Sequence, residues 1–272
     1  MIQQNWKEID AKAKEWIKEA GGIILSSLKE ELIIETKSNA SDLVTNIDRQ
    51  IEQFFIQKIN EEYPEHFVLG EEGYGDTLTS SQGTVWLIDP IDGTMNFVHQ
   101  KRNFAISIGI YHDGAGQIGL VYDPVHDELY HAIRGEGAFC NELPIPKLKP
   151  GTMAEGIVCV NATWLTQNSY LDHVKMGELV RRARGTRSYG CAALEFVYVA
   201  TGRVDAYITP RLSPWDFGGG AIIVQEVGGL VSTFEGNALN ITEKSSVLVA
   251  RPDIYEEILS QYVPRKRLLD IE

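Results

Sequence analysis

Apolar residues recur at three- and four-residue steps from Asn5 to Leu28, through Ile9, Ala13, Trp16, Ile17, Ala20 and Ile24. That is the period of an amphipathic helix with one stripe facing a sheet or another helix. The same period returns from Thr45 to Glu62 in Ile47, Ile51, Phe54, Phe55 and Ile59, and Tyr63-Pro64 predicts its end. Lys37 to Thr45, between them, is too rich in turn formers for core and reads as a loop. The pattern then changes: Val85-Trp-Leu-Ile-Asp89 is a short, continuously apolar run ending in an acid, the mark of a buried strand. Phe104, Ile106, Ile108 and Ile110 alternate with small residues, and 117–122 and 128–132 extend a meander with Asp113-Gly114 as its first hairpin turn. Three prolines within 141–151 mark a junction. Beyond it, strands are predicted over 156–160, 204–209 and 246–250, and helices over 169–184, 192–201, 217–227 and 253–261. Residues 1–143 thus read as an α+β part and 144–272 as an α/β part, with no internal repeat.

Composition narrows the function classes. The 272 residues permit one large domain or two joined ones, and 43% apolar with 9% aromatic content is globular, which excludes collagen-like and disordered chains. The 38 acids exceed the 25 bases by 13, leaving no electrostatic footprint for nucleic acid or anionic lipid. An anionic substrate then needs a local attractor, most simply a metal. Cys140, Cys159 and Cys191 lie far apart without C-x-x-C spacing and read as reduced, buried thiols. No apolar run approaches the ~18 residues of a membrane span, and Met1-Ile2-Gln3-Gln4 lacks a secretory apolar region. A cytoplasmic protein is expected.

The most informative segment is Trp86-Leu-Ile-Asp89-Pro90-Ile91-Asp92-Gly93-Thr94-Met95-Asn96-Phe97. A core strand delivers Asp89, Pro90 is expected to end the ladder, and Asp92 follows in a tight turn closed by Gly93. An isolated D-x-x-D-G is normally an Asx turn with an N-cap. At the end of a buried strand, however, two neighbouring carboxylates repel unless protonated or bridged by a cation. Glu71-Glu72 follows another short apolar run; alone, such a pair is usually solvated surface. In Trp215-Asp216-Phe-Gly-Gly-Gly, Asp216 stands at an expected N-cap, and the glycines allow close backbone packing despite poor helix propensity.

Together these residues resemble the inositol monophosphatase family, within the magnesium-dependent, lithium-sensitive phosphatase superfamily that includes fructose-1,6-bisphosphatases. The resemblance spans nearly the whole chain and rests on W-x-I-D-P-I-D-G-T-x-N-F at 86–97 and W-D-x-G-x-G-x-x-I-x-x-E-x-G-G at 215–229. It implies a layered α-β-α-β-α sandwich and a Mg²⁺ site of Glu71, Asp89, the Ile91 carbonyl, Asp92 and Asp216. The oxygen-only donor set agrees with Mg²⁺ rather than Zn²⁺. It further implies that Glu71 helps activate a water that Thr94 and Asp48 orient and deprotonate, and that the Gly93 and Thr94 N–H groups cradle the phosphate. Lys37 and Asp42 match the family's mobile K-x-x-x-x-D-x-V-T-x-x-D loop, and Gly190 and Ala192 match its substrate-contacting R-S-x-G-x-A segment.

One departure bears on substrate. Where several relatives carry a glutamate that binds substrate hydroxyls, six residues before Trp215, this chain has Thr209, followed by Pro210-Arg211. Losing that carboxylate weakens polyol recognition, and Arg211 turned inward would add a donor for a second anionic group. The expectation is a phosphomonoesterase acting on inositol or sugar phosphates with a range extending to the 2′-phosphate of NADP. The alternatives are a nucleotide phosphatase acting on NADP or 3′-phosphoadenosine 5′-phosphate, and a regulatory module that binds the transcription machinery. A homodimer with small phosphate-ester substrates, no membrane contact and no direct nucleic-acid contact completes the picture. His66, His99, His112, His126, His131 and His173 show no ligand spacing, and Pro264-Arg-Lys-Arg267 reads as a solvated basic end.

Overall fold

The computed structural model describes residues 4–37, 43–77 and 80–263. Asn5 caps helix α1 (Trp6–Ser27), its side chain accepting from Glu8 N. The short strands β1 (Ile34–Thr36) and β2 (Leu43–Thr45) pair antiparallel, so the end of the predicted loop is extended chain that leads into α2 (Asn46–Glu62). Next come β3 (Phe67–Gly70), β4 (Thr84–Asp92), α3 (Thr94–Gln100), β5 (Ala105–His112), β6 (Ala115–Asp123), β7 (Glu128–Ile133), β8 (Gly137–Cys140) and β9 (Leu143–Pro144). These strands form a seven-stranded sheet in sequence order, antiparallel except for the β3–β4 pair. Asp113 and Gly114 both have positive φ, as the predicted hairpin turn requires.

The chain continues through β10 (Ile157–Val160), α4 (His173–Arg182), β11 (Gly185–Arg187), α5 (Ala192–Ala200), β12 (Ala206–Leu212), α6 (Pro214–Glu226), β13 (Leu230–Ser232), β14 (Ser245–Ala250) and α7 (Pro252–Gln261). The second sheet has the order β11-β10-β12-β14-β13, with β10 parallel to both of its neighbours.

Strand alternation divides the core into three layers. Trp86 and Ile88 of β4 pack with Ile9, Trp16 and Ile17 of α1 and Ile51 and Phe55 of α2. Val85 and Leu87, pointing the other way, join Leu194 and Phe196 of α5, Phe217 and Ile223 of α6, and Tyr207 and Val249 of the second sheet. The far face of that sheet, Val158, Ile208 and Leu248, packs with Met176 of α4 and Ile258 of α7. The order is therefore helix, sheet, helix, sheet, helix, as the resemblance implied. Every residue of β4 is buried, which explains its continuous apolar run.

Two local expectations are corrected. Pro90 does not end the strand: pairing with β5 resumes at Asp92–Ala105 after a register shift beyond Asp89–Ser107, and Pro90 sits in this bulge, where its missing N–H breaks no ladder bond. Helix α6 begins earlier than expected, with Ser213 at its N-cap and Pro214 at its first position, which moves Asp216 to the third helical position.

His66 has a structural role. Its Nδ1 accepts from Trp86 Nε1 at 3.0 Å, and burial, aided by nearby His112, lowers its pKa to about 4. Between pH 4 and the ordinary value of 6.5 the unfolded chain binds more protons, so stability is lost as pH falls through that window. The thermal midpoint is expected to fall from pH 7 to pH 4.5, and to fall less in His66→Gln, which keeps an acceptor for Trp86 without titrating. An equal slope in the two proteins would assign it elsewhere.

Candidate active site

Four segments bring their carboxylates to one region between the sheets. Asp89 and Asp92 come from the bulged end of β4, Asp48 from the first turn of α2, Asp216 from the first turn of α6, and Glu71 from the turn after β3. Asp48 is fully buried; its Oδ2 accepts from Thr45 N at 2.8 Å and Thr45 Oγ1 at 2.6 Å, a capping box that fixes the side chain. Its other oxygen accepts from Thr94 Oγ1 at 3.2 Å, and the same hydroxyl lies 3.1 Å from the Ile91 carbonyl. The structure thus joins Asp48 and Thr94 across 46 residues.

Charge crowding dominates the rest. Burial, then the charges of Glu71, Asp92 and Asp216, push Asp89 well above the usual carboxylate range. Burial, then Asp92 and Glu71, do the same to Asp216. Asp92 rises to about 6 through burial, although its Oδ2 accepts from Ala193 N and Cys191 Sγ at the start of α5. Asp89 Oδ1 accepts from Ile91 N at 3.0 Å and Asp216 Oδ2 from Ser213 N at 2.7 Å. Among the described residues no three acidic, histidine or cysteine side chains close into a ligand cage. Each carboxylate is tethered by a neighbouring N–H, and Glu71 is drawn to Lys37, whose Nζ lies 3.0 Å from its Oε1 and also donates to Glu72. Burial opposes the Lys37 charge, but Glu71 and Glu72 outweigh it and hold its pKa above the ordinary value. A hard divalent cation fits this set: all donors are oxygen, and the groups repel one another in a buried setting.

Beside the acids lies a cavity of about 250 Å³ lined by Asp92, Asp216, Gly190, Ala192 and Thr209, and also by Trp164 and Glu195. Gly93, at φ +90, is the left-handed turn into α3; a Cβ there would meet the Gly190 carbonyl at 3.1 Å. The structure departs from the sequence reading at Arg211, which is exposed and outside the lining. A register shift between Thr209 and Leu212 breaks the strand parity that would have put Arg211 on Thr209's face, and Leu212 lines the cavity instead. Asp42 lies outside the described residues.

Three supporting residues escaped the sequence reading. Glu52 is fully buried and accepts from Glu72 N at 2.6 Å and Tyr74 N at 2.9 Å, clamping the turn that carries Glu71. A Cβ on Gly70 would sit 2.4 Å from that carboxylate, which explains the glycine. Asn96 Nδ2 reaches the carbonyls of Asn103 at 2.8 Å and Tyr189 at 2.7 Å, and Glu195 accepts from Tyr189 N at 2.7 Å; both fix the Gly190 loop. The signal for Glu52 was present: it lies four residues after Asp48 on the same helical face, among Ile51 and Phe55. Glu52→Gln, which turns a donor toward an N–H, is expected to weaken Mg²⁺ affinity and kcat about 10–100-fold, the usual effect of disturbing a ligand's support. Calorimetric Mg²⁺ titration and steady-state kinetics check it; unchanged Mg²⁺ affinity would refute the clamp.

The family model for the inositol monophosphatase family matches residues 5–267. The chain belongs to this family. An inositol-1-monophosphatase of Bacillus subtilis (strain 168) is 55% identical over 97% of this chain and 99% of its own length. SaIMPase-II with bound inositol monophosphate superposes with a TM-score of 0.85 at 43% identity, covering 94% of this chain and 93% of that one. The same protein with 2′AMP gives 0.85 at 45%, covering 92% of each. An IMPase/NADP phosphatase with NADP and Ca²⁺ gives 0.88 at 28%, over 96% of this chain and 99% of that one, and with Mg²⁺ and phosphate 0.87 at 28%, over 97% and 100%. This phosphatase family member is accordingly a phosphoric monoester hydrolase with Mg²⁺ as its cofactor. No helix among the described residues is long and apolar enough to cross a membrane.

Proposed function

We propose that this inositol monophosphatase relative hydrolyses inositol and sugar monophosphates and also removes the 2′-phosphate of NADP-type nucleotides, by direct attack of water on phosphorus. The observation that carries the reading is the Asp48–Thr94 pair beside the crowded carboxylates at the wall of the Gly190–Thr209 cavity. Glu71, Asp89, the Ile91 carbonyl, Asp92 and Asp216 would hold Mg²⁺, with Glu71 released from Lys37. When bound, Mg²⁺ supplies the Lewis acidity that makes water nucleophilic and stabilises the departing alkoxide. Thr94 Oγ1 donates toward Asp48 and Ile91, so its lone pairs can accept from the attacking water and hold it in line. Burial raises the Asp48 pKa and suits it to take the proton through that hydroxyl. The Gly93 and Thr94 N–H groups, at the left-handed turn, receive phosphate oxygens; Gly190 and Ala192 let the ester's organic group approach closely.

Thr209 supports the broadened range. It is buried in the cavity wall where a carboxylate would bind polyol hydroxyls, and offers only a short hydroxyl. The test is phosphate release from inositol 1-phosphate, fructose 1,6-bisphosphate, NADP and 3′-phosphoadenosine 5′-phosphate, with Mg²⁺ and with EDTA. Mg²⁺-dependent release from inositol 1-phosphate and NADP is expected. Thr209→Glu should raise the inositol-to-NADP ratio of kcat/KM about tenfold, a single charge-assisted contact; an unchanged ratio would remove Thr209 from specificity. The family resemblance, not the site, suggests a homodimer, which sedimentation velocity tests, and the widely spaced cysteines suit a cytoplasmic setting.

A further inference from the structure

A second cavity of about 340 Å³ opens between α1 and the β7–β8 side of the seven-stranded sheet, away from the carboxylates of the active site. Its floor contains Asp10 and His131, which are 4% and 5% exposed. Among the described residues, Asp10 Oδ1 and both ring nitrogens of His131 have no hydrogen-bond partner. The gap from His131 Nδ1 to Asp10 Oδ1 is 3.9 Å and that from Nε2 to Glu142 Oε1 is 3.6 Å, both too long to satisfy either group. Buried polar atoms without partners are rare because each costs about 1–3 kcal/mol of desolvation, so their clustering at one cavity needs an explanation.

The surrounding charges favour a cation. Lys7 pairs with Glu136 at 3.1 Å, and Lys14 pairs with Asp10 Oδ2 at 2.9 Å and approaches Glu142 at 3.6 Å. Three carboxylates thus face two ammonium groups, and the oxygen left over is Asp10 Oδ1. Burial, then the Lys14 charge, lowers the His131 pKa, so the imidazole is neutral and supplies no compensating charge. Phe139 stacks on the His131 ring at 5.3 Å and 16°, giving the cavity an aromatic wall. The Glu142 side chain, 76% exposed, is the movable part of the rim.

We propose that this groove binds a small organic cation bearing N–H donors, a guanidinium or primary ammonium group, received by Asp10 Oδ1 and Glu142 against the Phe139–His131 stack. Choline, of equal charge but without N–H donors, is the discriminating control. Methylguanidinium, a monocation like choline but with N–H donors, is the probe, titrated calorimetrically into the Mg²⁺-loaded protein at about 150 mM salt, where the Debye length is about 8 Å. Saturable binding of one methylguanidinium is expected, with choline binding at least tenfold more weakly. Asp10→Asn should weaken methylguanidinium binding at least tenfold and the exposed Glu142→Gln about threefold, while phosphate release stays within twofold of wild type. Ring resonances of His131 should shift on titration while those of His99 stay in place. The proposal is overturned by absence of saturable binding, by equal binding of choline, which would mean diffuse attraction to the chain's net charge of −13, or by wild-type affinity in Glu142→Gln together with an unmoved His131.

Discussion

Replacing Asp89 by Asn is expected to lower kcat/KM for phosphate release by about three powers of ten, equivalent to about 4 kcal/mol of transition-state stabilisation, and at the same time to raise the thermal midpoint of the protein without Mg²⁺. The two effects share one cause. Asp89 is 1% exposed, and burial together with the charges of Glu71, Asp92 and Asp216 opposes its ionisation. A carboxylate in that position is costly to the fold and useful only to a cation. Asparagine keeps an oxygen for the Ile91 N–H, so the bulge of β4 survives while the repulsion is removed. The increase in midpoint produced by Mg²⁺, which follows its occupancy of the folded state, should shrink accordingly. Phosphate release at saturating Mg²⁺, with thermal unfolding in Mg²⁺ and in EDTA, separates this from a purely structural role. A structural role predicts a lower midpoint in EDTA; activity within tenfold of wild type would remove Asp89 from the metal set.

Much of this site is legible in the sequence because its chemistry is concentrated in short segments. The run from Trp86 to Phe97 contains a strand, two acids and the left-handed Gly93, each with a local signal, whereas the bulge at Pro90 reads as the strand's end because only the pairing with β5 reveals it. The pairing of Thr94 with Asp48, and the convergence of Asp216, came from the family resemblance, since no local pattern reveals contacts between segments so far apart. Errors arose where one element's geometry depends on another. Arg211 was expected to turn inward beside Thr209, but its direction is set across a bulge that only the pairing with β14 defines. Asp216 was expected to be the helix cap because the glycine run hid the earlier start at Ser213-Pro214. The short strands β8, β11 and β13 have no alternation long enough to read and exist through their partners.

The glycines of α6 give the second large expectation: Gly219→Ala destabilises the protein by about 3 kcal/mol or more, roughly 6–12 °C in midpoint for a chain of this size. Propensity alone predicts the opposite sign, since alanine exceeds glycine by about 1 kcal/mol in a helix interior. Contact geometry decides between them. A Cβ on Gly219 would lie 2.7 Å from both the Ile108 and Leu120 carbonyl oxygens, backbone atoms of β5 and β6 that cannot rotate aside. Neighbouring Gly218 abuts Gly109, where an added Cβ on β5 would be 2.5 Å from its backbone, so helix and sheet meet main chain to main chain. Relief requires α6 to lift from the sheet, carrying Asp216 away from Asp89 and Asp92, and phosphate release should therefore fall with stability. Gly22→Ala in α1 is the matched control: a Cβ there meets nothing within 4 Å, and the substitution should stabilise by about 0.5–1 kcal/mol. Chemical denaturation of the two variants checks both signs; a neutral or stabilising Gly219→Ala would mean that α6 does not rest on the sheet through its backbone.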